Sequence, residues 1–169
     1  MAQNTETLLA DYSVWVHGTA GLSDQAVSVN RFASGAEFIS AGPADTNIIF
    51  PIPTPVIMSR ARLRLVHVFL LYALSPGATL KSLSCWDGYV NLGLNGPDPS
   101  DAPAFNTNII GPVSHLGGNG FSDFELVGVT RFDLSIPVAL KCGLALVASV
   151  EFNENSSIIF SSVGADFVT

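Results

Sequence analysis

Apolar and polar residues alternate at period two along most of this chain. Tyr12, Val14 and Val16 alternate with Ser13, Trp15 and His17, the pattern of a strand with one buried face. Phe124, Leu126, Thr130, Phe132 and Leu134 stand among Asp123, Glu125, Arg131 and Asp133, so one side is dry and the other wet. Cys142, Leu144, Leu146, Ala148, Val150 and Phe152 form a third such stripe. The spacing predicts strands over 12–17, 26–33, 46–57, 61–74, 79–86, 88–94, 121–134, 142–152 and 157–168. No stretch carries the period of an amphipathic helix. Turn residues punctuate the pattern at Gly18 to Gly21, Gly42-Pro43, Ser75-Pro76-Gly77, Asp87-Gly88 and Asn153 to Asn155. Eight or nine strands at hairpin spacing predict an all-β, two-sheet antiparallel β-sandwich of jelly-roll type.

Two segments depart from simple alternation. In 61–74, strict parity puts Leu63, Leu65, Phe69 and Leu71 on one side and Val66, Val68, Leu70 and Tyr72 on the other. A strand apolar on both sides must be covered on both. The expected interface is therefore Val66, Val68, Leu70 and Tyr72, facing a second subunit, or else covered by a loop of the same chain. Pro51, Pro53 and Pro55 make the opposite statement. At alternate positions they lack donors on the same side of one strand, which places the segment at a sheet edge or in a crossing between sheets.

The chain has 169 residues, which argues for a single domain over 1–169, with 1–10 as an N-terminal arm and 95–120 as a long loop. That loop is rich in Gly, Pro, Asn and Asp, and loops of such length in compact domains are usually functional or mobile. Within it Thr107-Asn108-Ile109-Ile110-Gly111-Pro112-Val113 echoes Thr46-Asn47-Ile48-Ile49-Phe50-Pro51-Ile52. The echo would fit a duplicated half-domain, but the flanks do not match, which favours two strand starts of similar local chemistry.

Composition then narrows the function classes. Only 12% of residues are charged against 48% hydrophobic, about half the charge of an average soluble domain. The formal charge of -7 removes the basic footprint of a nucleic-acid or anionic-membrane binder. Mean hydropathy is +0.42, yet the longest apolar run, Leu65 to Leu74, is broken by His67 and is too short to span a bilayer. Met1 to Asp11 carries Glu6 and no basic segment, unlike a secretory signal, so a cytoplasmic protein is the default, with non-classical export left open. Cys85 and Cys142 are too few for a metal framework and read as small core residues. Asn155-Ser156-Ser157 reads as a polar turn.

Catalytic signatures are missing. Gly21-Leu22-Ser23-Asp24-Gln25 lacks the closing glycine of a nucleophile elbow, and Gly117-Gly118-Asn119-Gly120 lacks the lysine of a phosphate loop. His17, His67 and His115 are far apart in sequence. His17 reads as bonded to the following turn, His67 as a core or interface residue, and His115 as the one available for a ligand. Asn95, Asp98 and Asp101 are rich in oxygen but read as a turn rather than a calcium site. Trp86, Asp87 and Tyr89 are the better candidates: an aromatic face can stack on a sugar while a carboxylate takes its hydroxyls. Parity nevertheless puts Trp86 on one face with Leu80, which favours packing in the core.

Trp15-Val16-His17-Gly18, Phe50-Pro51-Ile52-Pro53-Thr54-Pro55-Val56, Trp86-Asp87-Gly88 and Gly164-Ala165-Asp166-Phe167 together resemble a family of small uncharacterised bacterial all-β proteins. The resemblance implies a compact β domain and brings no activity with it. The resulting expectation is a non-enzymatic structural or interaction protein that self-associates into a homo-oligomer. The alternative is a lectin-like carbohydrate-binding module whose partner is a glycan. No cofactor, metal, nucleic acid or membrane is expected.

Overall fold

The computed structural model describes residues 11–58, 60–92, 107–109 and 125–169. In chain order it contains β1 (Tyr12–His17), a single 3-10 turn (Gly18–Ala20), β2 (Leu22–Ser23), β3 (Ser28–Phe32), β4 (Gly35–Ile39) and β5 (Ala44–Ile52). There follow β6 (Ile57–Met58), β7 (Ala61–Arg62), β8 (Arg64–Leu74), β9 (Ala78–Asp87) and β10 (Val90–Asn91). The remaining elements are β11 (Thr107–Ile109), β12 (Glu125–Ala139), β13 (Leu144–Phe152) and β14 (Ser157–Val168).

The strands form two main antiparallel sheets and a small β6–β7 hairpin. One sheet has seven strands in the order β11-β12-β8-β14-β4-β3, with β1 also on β14. β4 pairs the first part of β14, Ser157 to Phe160, and β1 pairs its last part, Ser162 to Phe167, so the two share one edge end to end. The other sheet has five strands in the order β10-β9-β13-β5-β2. First strand therefore lies beside last, and β5 beside β13, with the chain crossing repeatedly between sheets. That is the expected all-β sandwich with jelly-roll order.

Inner faces of both sheets meet in a core that includes Phe38, Ile48, Phe50, Leu65, Leu70, Leu146, Phe152, Phe160 and Phe167. Phe50 of the five-stranded sheet meets Phe160 of the seven-stranded sheet edge-on, 4.9 Å between ring centroids. Such aromatic pairs add about 1 kcal/mol to the burial of their area. Gly18 follows β1 where the chain crosses β14; a Cβ there would overlap the backbone carbonyl of Phe160, so only glycine fits.

Single-residue bulges on β8, β14 and β9 shift the parity expected from sequence. On β8, His67 faces Asp166 and Leu65 faces Phe167, leaving Val66 as an extra residue. Leu65, Val68, Leu70 and Tyr72 consequently share the core, while His67, Phe69 and Leu71 alternate to the outside. The expected interface is corrected accordingly: Val68, Leu70 and Tyr72 pack inside the protomer, and Val66 is buried at the bulge. On β14 the extra residue is Ser161, and on β9 it is Lys81. The β9 bulge puts Leu80 opposite Val150 but turns Ser82, Ser84 and Trp86 outward, so Trp86 is not a core residue.

Elsewhere the fold follows the pattern. Pro51 is the next-to-last residue of β5, opposite Ala145 and past the point where β2 pairs at Ile48 and Ile49, and Pro53 and Pro55 lie in the crossing toward β6. The strand expected at 26–33 is β3, and it forms a hairpin with β4, for which no strand was expected, with Ser28 opposite Ile39 and Phe32 opposite Gly35. Residues 1–10 lie outside the described residues, as does most of 95–120, in which Thr107–Ile109 forms β11 against β12.

Candidate functional site

The sandwich presents two outer faces. On the seven-stranded sheet, Trp15, Gly164 and Phe69 lie in one row across β1, β14 and β8. Gly164 has no side chain, so the Trp15 indole leans across it; a Cβ there would come within 2.5 Å of the ring. The indole stacks on Phe69 with centroids 5.0 Å apart and planes at 30°. Trp15 stays 47% exposed and leaves Phe69 only 8% exposed. Further along this face, Ala73 and Ile159 lie opposite one another in register and are buried.

The next row holds Ser13, Asp166 and His67. The Ser13 hydroxyl donates to Asp166 Oδ1 at 2.6 Å, and His67 Nδ1 lies 3.4 Å from Asp166 Oδ2. These are the residue types of a hydrolytic triad in the wrong order. In a triad the imidazole stands between hydroxyl and carboxylate and takes the hydroxyl proton. Here the carboxylate stands between them, and the hydroxyl donates to a weak base. The arrangement orients side chains and does not activate a nucleophile.

On the five-stranded sheet the outward rows run across β9, β13 and β5. Trp86, Ala145 and Pro51 form the first, and Ser84, Val147 and Ile49 the second, with Leu22 of β2 beside Ile49. Ser82, Ser149 and Asn47 form the third, and Glu151 and Asp45 stand opposite one another beyond it. One end of this face is thus apolar, with Leu22 58% exposed. The other end is polar and internally bonded. Ser149 donates to Asn47 at 2.6 Å, Asn47 donates to Asp24 through its backbone at 2.9 Å and its side chain at 2.7 Å, and Lys81 pairs with Glu151 at 2.6 Å.

The sequence candidates fall around the apolar end and separate there. Trp86 lies on the outer face with its indole N–H donated to Ser84 Oγ at 3.1 Å. Tyr89, at the β9–β10 turn, is 87% exposed. Asp87 is buried and serves its own chain: Oδ2 accepts the backbone N–H of Lys141 at 2.6 Å, and Oδ1 those of Cys142 at 2.6 Å and Gly143 at 3.0 Å. Burial alone would raise its carboxyl pKa, but these three donors, helped by the Lys141 charge, hold it below the ordinary value. A carboxylate so engaged ties β9 to the turn before β13 and is not open to a sugar hydroxyl. His115, like Asn95, Asp98 and Asp101, lies outside the described residues.

Other readings resolve locally. His17 accepts from the Thr19 hydroxyl through Nδ1 at 3.0 Å and donates from Nε2 to the Ala33 carbonyl at 3.0 Å, the turn bonding expected of it. Cys85 is a buried free thiol whose pKa burial raises well above the usual value, whereas Cys142 is free and exposed rather than a core residue. Asn155 takes a positive φ of 57° between β13 and β14, consistent with a polar turn. Among the described residues no group of three His, Cys, Asp or Glu is placed to hold a metal, and no helix is long and apolar enough to cross a membrane.

The Ser13–Asp166 and Trp15–Gly164 pairings escaped sequence reasoning, although a signal for them existed. The first and last motifs of the chain, Trp15 to Gly18 and Gly164 to Phe167, lie on strands paired with each other. Compared with known protein families, curated proteins and solved structures, the chain matches none.

Proposed function

We propose that this chain is a non-enzymatic interaction domain that associates with copies of itself. One observation carries the reading: the outer face of the five-stranded sheet holds Leu22, Ile49, Pro51, Trp86, Ala145 and Val147 together, with no charge among them. Contiguous exposed apolar patches on soluble proteins mark interaction sites. The low charge of the whole chain points the same way, since a monomer of this size ordinarily covers itself with roughly twice as many charged residues. The carbohydrate alternative needs a free carboxylate beside Trp86, and Asp87 has both oxygens engaged.

Light scattering on the purified chain across the micromolar range tests the proposal. The expected mass is a multiple of 17.8 kDa. A mass of one chain that persists on concentration refutes it.

A further inference from the structure

We propose that the end of the sandwich where β7 runs into β8 binds a small, multiply charged oxyanion of the phosphate-ester class. The chain carries 7 Lys and Arg against 14 Asp and Glu. Four of those cations, Arg60, Arg62, Arg64 and Lys141, nevertheless gather at this end, and all are exposed. Leu63 and Leu65 are buried in the core, so the alternate residues Arg62 and Arg64 project outward on one side, about 7 Å apart along the chain. The backbone N–H of Leu140 donates to the Leu63 carbonyl at 3.0 Å, and Arg62 Nη1 donates to the Leu140 carbonyl at 2.7 Å. Those two bonds hold the turn that carries Lys141 alongside the arginines.

The fold makes little use of these charges. Among the described residues none of the three arginines forms an ion pair. A strand cation ordinarily finds an opposite charge across the ladder. Here Arg62 faces Ile57, and Arg64 faces Val168 and Ala139, none of which is charged. Asp87 offsets part of the Lys141 charge, but it is buried with both oxygens on backbone amides. Asp11, across β14 from Arg64, accepts from Thr169. The described cations elsewhere are committed, Lys81 to Glu151 and Arg31 to the Thr19 carbonyl. Arg60 adds a second, independent sign. It takes a φ of 69° in the tight turn between Met58 and Ala61, the left-handed region that favours glycine or asparagine. Residues held there against their preference cluster at functional sites.

The residue types and the net charge define the ligand. Arginine at three positions suits an oxyanion, because a planar guanidinium donates to two oxygens at once. Arg62 spends one donor on Leu140 and keeps the others. One carboxylate would leave most of this charge unmatched, whereas a phosphate ester brings about two negative charges and several strong acceptor oxygens. Size follows from the rest of the chain, where the remaining three cations stand against all 14 acids. That surplus repels an extended polyanion or an anionic bilayer. It acts only weakly on a small ion, since charges beyond a Debye length of about 8 Å are screened. Ile57, exposed and opposite Arg62, gives the organic part of the ester an apolar ledge.

Calorimetric titration of the full chain with inorganic pyrophosphate, in metal-free buffer at fixed ionic strength, tests the site. Saturable binding of one ion per chain is expected, with a rise in melting temperature, because a ligand of the folded state stabilises it. Acetate at the same ionic strength should give neither. Arg62→Gln and Arg64→Gln should each weaken binding by about tenfold, the loss of one charge-assisted contact. Lys81→Gln, toward the other end of β9, should leave it unchanged. Arg64 makes no bond within the protein, so its variant keeps the parent's circular dichroism spectrum and carries the test even if Arg62→Gln disturbs the turn. Absence of pyrophosphate binding, or binding that Arg64→Gln leaves intact, refutes the site. Single-stranded DNA or phosphatidylserine vesicles bound as tightly as pyrophosphate, and lost in Arg64→Gln, would overturn the small ligand in favour of a polyanion.

Discussion

The two outer faces of the sandwich are built by the same alternation and end in opposite states. On the seven-stranded sheet, the outward residues Ala73 and Ile159 are buried within the single chain, and Phe69 lies under Trp15. On the five-stranded sheet the outward residues Ile49, Val147, Ala145 and Trp86 all keep part of their surface open. The strand that is apolar on both sides, β8, therefore does not mark the open surface. The open surface lies over β13, which reads as an ordinary half-buried strand. Apolar content on two sides shows that a strand is covered twice, and it does not say by what.

Matched substitutions on the two sides of this comparison should differ most. Val68→Asp puts a charge into the core between the sheets, where an unpaired buried charge costs more than about 4 kcal/mol, and the chain is expected to be insoluble or unfolded. Val147→Asp should keep a melting temperature within a few degrees of the parent, measured by circular dichroism. Equal damage from both would mean that the five-stranded face is as closed as the other.

Asp87 supports the open face from beneath, because it fixes β9 against the turn that leads into β13. Asp87→Asn leaves amide hydrogens on that turn poorly satisfied and should cost about 2–3 kcal/mol at neutral pH. The folded carboxyl titrates below the ordinary 3.8, so its contribution is fully present above that value and fades as pH falls through the lower folded one. Melting curves of parent and variant should thus converge as the pH is taken below 3.8. A gap that stays constant would assign the loss to packing rather than charge.

Trp15→Ala removes the lid from Phe69 and should cost about 1–2 kcal/mol in chemical denaturation, without changing the sedimentation coefficient. A change in oligomeric state would move the interaction surface to the seven-stranded sheet. The smallest effect is expected at Lys81, whose pair with Glu151 is exposed on both sides. Lys81→Ala should leave the melting temperature of the protomer unchanged, and any effect should appear in association at low salt.

Much of the architecture was legible because alternation is local. The segments 12–17 and 157–168 match β1 and β14, and the count and spacing of strands led to the jelly roll. The proline triplet and His17 could also be read, since each acts through its own backbone or the next turn. The faces could not. Val66, Ser161 and Lys81 each shift parity by one residue, and a bulge exists only in the pairing of two strands, so neither strand shows it alone. That is why Val68, Leu70 and Tyr72 looked external while Trp86 looked internal. β4 was missed for a related reason: Gly35 to Ile39 becomes a separate strand through its pairings with β3 and β14.

The position of β14 bears on how the molecule forms as well as how it stands. It pairs with β1, β4 and β8, and so occupies the middle of the seven-stranded sheet while coming last along the described chain. Its pairing with β1 joins Tyr12 to Phe167, a contact between opposite ends of the described chain. During synthesis β1 and β8 must therefore wait, unpaired on the sides that β14 will fill, until the chain has been made through Val168. Such long-range closure is slow, in the range of milliseconds to seconds for all-β domains. Throughout that interval the apolar length of β8 is an open edge, the kind of surface through which incompletely folded chains aggregate.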